Sequence, residues 1–428
     1  MQLPCNTGNW QLRTAQIPIG PLNVTRISRS FKRLCDDGVM QIINYESGVG
    51  TGSNLLDSVT GGAFGVGLSE RVREAYQFIC ANYCDGDEIV LIGYSRGAYT
   101  VRSVAGMIGE IGLLTREGME MFYPIFKDME NWMDKGYKDQ FPTIPLQTSP
   151  RELVLLSCTR LGLKSTYQFY DTNLSVQIEH AFQALALDET RPPFSPAVWE
   201  RLPTNKLTTD LRQVWFPGNH GNIGGGWADQ GVANITLAWM MDQLASVGVE
   251  FDEKSLEKIF NRQVEYYDTT AKESPSIKST SSALYVLAGQ KNRTPGVYRK
   301  TDPKTGLPTK EFLVDTNERI HPCVRVRLCC KGLGLNDSAV WDPEPLKKWK
   351  LKRVGAATAT AANGNGKADA VVKVEALGGN EAWGPSKTEQ EDIKDAGQWA
   401  WQYNGTEADA PPVKTLMEEK LGPYERYF

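Results

Sequence analysis

A serine between two glycines at the end of an apolar run is the first feature of this chain that reads as chemistry: Glu88-Ile89-Val90-Leu91-Ile92 leads into Gly93-Tyr94-Ser95-Arg96-Gly97. Residues 89–92 have the length and branching of a buried parallel strand, and residues 98–108 the spacing of a helix. A serine at such a strand-to-helix turn is the nucleophile of acyl transfer in G-x-S-x-G elbows, where small neighbours let the chain double back. The helix after the turn points its free N–H groups and the positive end of its dipole at the serine's surroundings, which favours a developing oxyanion. The backbone N–H of Arg96, next after the serine, is the first candidate oxyanion donor.

A serine nucleophile needs a base, and the chain owns three histidines: His180, His220 and His321. His180 falls within residues 178–187, whose pattern reads as a helix, with no partner in view. His220 follows a strand candidate at 213–218 and sits in the glycine-rich loop Asn219-His220-Gly221-Asn222-Ile223-Gly224-Gly225-Gly226, which lets backbone approach a ligand closely. His321 precedes Pro322, whose ring keeps it extended. Asp171 closes a strand candidate at 165–170, on the rim where open α/β sheets build their sites. The order Ser…Asp…His is met by Ser95, Asp171 and His321. Ser95 would attack an acyl carbonyl, His321 would take and return its proton, and Asp171 would hold the imidazole tautomer. His220 is the second candidate for the base, or a group that positions substrate.

Several elements must carry these residues. Residues 23–34 have helical spacing, 40–45 read as a strand, 68–82 as a helix and 233–244 as an apolar helix. The glycine-rich stretches 48–53 and 61–67 match neither a dinucleotide-binding nor a P-loop fingerprint. Residues 119–133 gather Phe122, Tyr123, Phe126 and Trp132 on one helical face. Core packing is the first reading of that face, and a cap over an apolar substrate pocket the second. Residues 354–380 are rich in Ala, Thr, Gly and Asn and read as a linker or mobile loop between a domain at 1–353 and a segment at 381–428. The tryptophans of that last segment, Trp383, Trp399 and Trp401, predict that it packs back on the domain.

Composition narrows the class. With 428 residues, 41% hydrophobic, 23% charged and a net charge of −4, the chain describes a soluble globular protein with no basic patch suited to nucleic acid. No run of 18 apolar residues and no signal-peptide pattern occurs, so the expectation is no transmembrane segment and a cytoplasmic location. The eight cysteines lack zinc-finger spacing and are read as free thiols; no metal and no cofactor is expected.

Taken together, the segments 83–99, 186–194, 215–226 and 320–322 resemble an α/β-hydrolase-like family of fungi and bacteria with a GFSRGA-type elbow, which includes phospholipase effectors of bacterial type VI secretion. The resemblance covers residues 5–330. It implies an α/β-hydrolase-like fold, a mostly parallel sheet with helices on both faces and inserted cap helices. It also implies a serine hydrolase acting on an ester, lipid or lactone. Two positions depart from the family pattern: Cys5-Asn6-Thr7-Gly8 stands where relatives have Cys-Asp-Gly-Thr after a first strand, and Asn222 stands where bacterial relatives carry an aspartate. An amide stabilises an imidazolium poorly, so Asn222 is a weak triad acid. These departures motivate a competing reading, a hydrolase-fold protein that binds a ligand or catalyses a non-hydrolytic step such as cyclisation or elimination.

Overall fold

In a computed structural model, the chain is described over residues 19–46, 64–131, 152–158, 174–270, 275–278, 289–302, 307–354, 374–375, 399–406 and 410–427. The strands are β1 (Ile19–Leu22), β2 (Glu88–Gly93), β3 (Glu152–Cys158), β4 (His180–Ala186), β5 (Asp210–Phe216), β6 (Gly225–Trp227), β7 (Arg299–Thr301), β8 (Pro308–Phe312), β9 (Glu318–Ile320), β10 (Trp349–Val354), β11 (Val374–Glu375), β12 (Trp399–Tyr403) and β13 (Thr415–Glu418). The α-helices are α1 (Asn23–Ser28), α2 (Phe64–Asn82), α3 (Arg96–Ile111), α4 (Arg116–Glu120), α5 (Phe122–Asn131), α6 (His220–Gly224), α7 (Gly231–Ala245), α8 (Glu253–Thr270) and α9 (Pro322–Cys329).

Among the described residues, nine strands form the central sheet in the order β11-β10-β12-β13-β9-β5-β4-β3-β2. From β2 to β13 every pairing is parallel. From β13 to β11 every pairing is antiparallel. The result is a mixed α/β fold whose sheet is mostly parallel. Alternation along each strand decides what covers it. On β2, Ile89 and Leu91 pack with Tyr76 of α2, Val104 and Met107 of α3 and Phe122 of α5. Val90 and Ile92 join the opposite layer with Phe216, Leu237 and Met241 of α7 and Phe260 of α8. Helices therefore cover both faces. A third core gathers Trp215, Ile320, Trp341, Trp401 and Leu416 where β12 and β13 join the sheet.

Several local expectations change. Residues 180–186 are strand β4, not helix: every side chain from Ala181 to Ala186 is buried, so both faces are covered and no polar–apolar alternation marks the strand. The helix predicted over 23–34 stops at Ser28; the Ser28 and Ser30 hydroxyls turn back onto the Thr25 and Arg26 carbonyls, and Phe31 bridges to Phe251. Residues 41–46 form no ladder. The aromatic face of α5 goes into the core, with Phe122 stacked on Tyr76 at 5.4 Å, while Tyr123 is exposed. Asp171 and the strand candidate before it, Trp132, Trp383, the Cys5 loop and most of 354–380 lie outside the described residues.

Candidate active site at the strand-to-helix elbow

Ser95 joins β2 to α3 with φ 57° and ψ −121°, a conformation that costs a non-glycine residue strain. The turn is tight on one side: a Cβ on Gly93 would stand 2.3 Å from the Gly97 carbonyl oxygen. A Cβ on Gly97 would meet nothing within 4 Å, so the crowding expected of both flanking glycines applies to Gly93 alone. A serine at a helix N-cap ordinarily accepts a bond from its own helix. Ser95 makes no such cap bond, which leaves its hydroxyl outside the helix's own accounting. Arg96 opens α3, and the next amides are used: Gly97 N donates to the Tyr94 carbonyl at 2.9 Å and Ala98 N to the Ser95 carbonyl at 3.1 Å.

Parallel strands deliver the residues after their carboxyl ends to one rim of the sheet. Ser95 follows β2 with Tyr94 between them, Asp188 and Glu189 come after β4, His220 after β5 and His321 after β9. His180 begins β4 and so sits at the opposite end of the sheet, 3.9 Å from Asp210.

His220 reaches the elbow through Tyr94. Their rings stack with centroids 4.5 Å apart at 16°, and the Tyr94 hydroxyl donates to the His220 carbonyl at 2.8 Å. Phe194 meets the imidazole edge-on at 4.9 Å, and the Arg191 guanidinium covers Phe194 at 3.6 Å. Burial pushes the His220 pKa down to about 3; Arg191 and Arg293 add to the depression and Glu189 opposes it. At neutral pH the imidazole is neutral.

Two carboxylates lie close by. Glu189 is fully buried and grips Arg191 through two bonds, Nε to Oε1 at 2.8 Å and Nη2 to Oε2 at 2.7 Å, and it accepts the His220 backbone N–H at 3.2 Å. Burial raises its pKa, but Arg191 more than offsets this and holds it below the ordinary carboxylate value. Asp188 accepts from Gly218 N at 2.5 Å and Trp341 Nε1 at 3.0 Å, yet burial still pushes its pKa up. Both acids lie in the segment 186–194 that carries the family resemblance, but the sequence assigns neither a role. The signal that could mark them, an acid at the carboxyl end of a strand, is hidden because β4 reads there as a helix.

The remaining candidates have other partners. His321 is buried with both ring nitrogens engaged: Nδ1 accepts from Cys323 N at 3.1 Å and caps α9, and Nε2 bonds Glu425. Its ring stacks on Phe216 at 4.5 Å. Asn222 closes a capping box with Asn219, its Oδ1 accepting from Asn219 N at 3.2 Å while Nδ2 donates to the Ser276 carbonyl at 3.0 Å. A carboxylate could make the first bond but has no proton to give to the second. The amide at 222 thus has a structural use that an acid could not fill. Among the described residues, Cys35, Asp37 and Glu250 converge as a metal site would. Glu250 there already binds the Lys32 ammonium at 2.7 Å, which repels a cation. No described helix is long and apolar enough to cross a membrane.

An uncharacterized protein of Saccharomyces cerevisiae is 26% identical to this chain over 216 residues, 43% of this chain and 31% of that protein, so the match spans less than a third of its relative. A solved structure of the Tle1 effector bound to the VgrG spike from the Type 6 secretion system aligns with 69% of this chain and 80% of its own, with a TM-score of 0.34 and 15% identity. Over residues 5–153 and 142–243, more than half of its length, the sequence matches the family described as T6SS, phospholipase effector Tle1-like, catalytic domain, and the chain belongs to that family.

Proposed function

We propose that this chain is a serine hydrolase of lipid esters, with Ser95 as nucleophile and His220 as its base. The observation that carries the reading is the strained Ser95 turn, whose preceding residue, Tyr94, is stacked on a buried histidine. Family membership supports the lipid-ester substrate. Ser95 Oγ attacks the acyl carbonyl carbon while its proton passes to the imidazole of His220. The oxyanion forms against the start of α3, with the Arg96 backbone N–H as a donor. The tetrahedral adduct collapses, the leaving alcohol takes the proton from His220, and the acyl-serine is hydrolysed by water through the same steps in reverse. A resting imidazole with so low a pKa must be stabilised as it becomes charged, and Glu189 is the buried carboxylate whose charge acts on it. By chain order His321 is the first candidate for the base; its engagement with Cys323 N and Glu425 favours His220 instead.

The test is fluorophosphonate labelling together with fatty-acid release from phosphatidylcholine vesicles. Ser95→Ala and His220→Ala should lose both by roughly three orders of magnitude or more, while His321→Ala keeps labelling in the folded fraction. Comparing Glu189→Gln with Asp171→Asn separates the two candidate acids. An unlabelled wild-type Ser95 would refute the serine mechanism and favour the non-hydrolytic reading; loss of labelling in His321→Ala but not His220→Ala would restore His321 as the base.

A further inference from the structure

We infer that Tyr94 is a positioning residue that fixes the base relative to the nucleophile, so that the elbow sets the geometry of both. The inference rests on the reading of Ser95 and His220 above. Tyr94 is covalently next to Ser95, and its backbone is locked by the turn: its carbonyl accepts from Gly97 N at 2.9 Å. From that fixed point its side chain crosses to α6. There His220 and Gly224 stand four residues apart, on one face of the helix. The Tyr94 ring lies along this face, stacked on the imidazole of His220 at 4.5 Å. At the other position there is room for it only because residue 224 is glycine, where a Cβ would come within 1.9 Å of the ring. The hydroxyl then bonds the His220 carbonyl at 2.8 Å, fixing the ring along the helix as well as across it.

Phe194 bounds the imidazole on another side, and Arg191 holds Phe194 down. The imidazole therefore has aromatic neighbours in Tyr94 and Phe194. Among the described residues, the charged groups acting on it include Glu189, Arg191 and Arg293. Of all these, Tyr94 alone is bonded to the nucleophile's own residue. Its motion would move base and nucleophile relative to one another, and a misplacement of about 1 Å costs about a hundredfold in rate.

The experiment uses the full chain with Tyr94→Phe and Tyr94→Leu. The three histidines of this sequence make the imidazole spectrum short enough to assign. Two readouts are measured: the ring nitrogens of His220 by proton–nitrogen NMR across pH 4 to 8, and the rate of fluorophosphonate labelling at Ser95. In Tyr94→Leu, His220 should begin to titrate within that range, and labelling at saturating probe should slow by about a hundredfold with little change in the half-saturating concentration. Tyr94→Phe keeps the stack and loses one neutral hydrogen bond, so it should restore all but about fivefold of the rate. A Tyr94→Leu protein whose His220 stays silent to pH and whose labelling is within twofold of wild type overturns the inference. Should Tyr94→Leu fail to fold, Tyr94→Phe decides: His220 resonances and labelling both unchanged overturn it. Should wild type resist the probe, the catalytic reading fails, yet the NMR readout still decides whether Tyr94 holds His220.

Discussion

Replacing Ser95 with glycine should make the protein more stable while abolishing any serine chemistry. The φ of 57° at Ser95 is where an L side chain is strained and glycine is not. Such a residue stores about 1–3 kcal/mol. Glycine returns part of that through the greater freedom of its unfolded chain, about 0.4–1 kcal/mol. The net gain is then roughly 0.5–2 kcal/mol, because Ser95 makes no cap bond to lose and is only half buried. Ser95→Ala removes the same hydroxyl but keeps the Cβ, so it isolates the backbone contribution. The assay is urea unfolding of wild type, Ser95→Ala and Ser95→Gly monitored by tryptophan fluorescence, comparing midpoints at equal slope. A Ser95→Gly midpoint at or below that of Ser95→Ala would refute the claim that the turn is strained.

Buried charge gives two further outcomes. His220 has a folded pKa of about 3 against an ordinary value of 6.5, so below pH 6.5 the unfolded chain binds a proton that the folded chain does not. Its contribution is present above pH 6.5 and is lost at about 1.4 kcal/mol per pH unit as pH falls towards 3. Urea midpoints at pH 7, 5.5 and 4.5 should show this slope in wild type and a shallower one in His220→Gln, and kcat/KM should show no inflection near 6.5. Glu425→Gln keeps an acceptor for the His321 Nε2–H but loses the charge that strengthens the bond, and should lower stability by about 1–3 kcal/mol, measured by the same unfolding assay, while Ser95 labelling per folded molecule is kept.

What was legible in the sequence was local. The elbow announces itself because an apolar run, two glycines and a helical spacing are contiguous, and the helices read at 68–82 and 233–244 are found at Phe64–Asn82 and Gly231–Ala245. What was illegible depended on burial or on distant partners. Residues 180–186 carry no alternation because both faces are covered, so Glu189, though inside the motif 186–194, does not read as an acid at a strand's carboxyl end. The part His220 plays turns on Tyr94, 126 positions away, and on a glycine that reads in sequence as one of several. His321 has the credentials of a base in sequence, but its Glu425 partner lies 104 residues downstream.

The seat of β13 has a consequence for how the protein is made. β13 lies between β9 and β12, with Met417 and Glu418 paired to Arg319 and Ile320, and Glu418 holds Arg325 through a buried bond of 2.7 Å. During translation, the strands bearing the elbow and His220 emerge first, while β9 waits with an unpaired flank until residues 415–418 leave the ribosome. An open edge of this kind recruits stray strands. Vectorial synthesis thus leaves a window in which the nascent chain is exposed to aggregation, and slow elongation between residues 321 and 415 would prolong it.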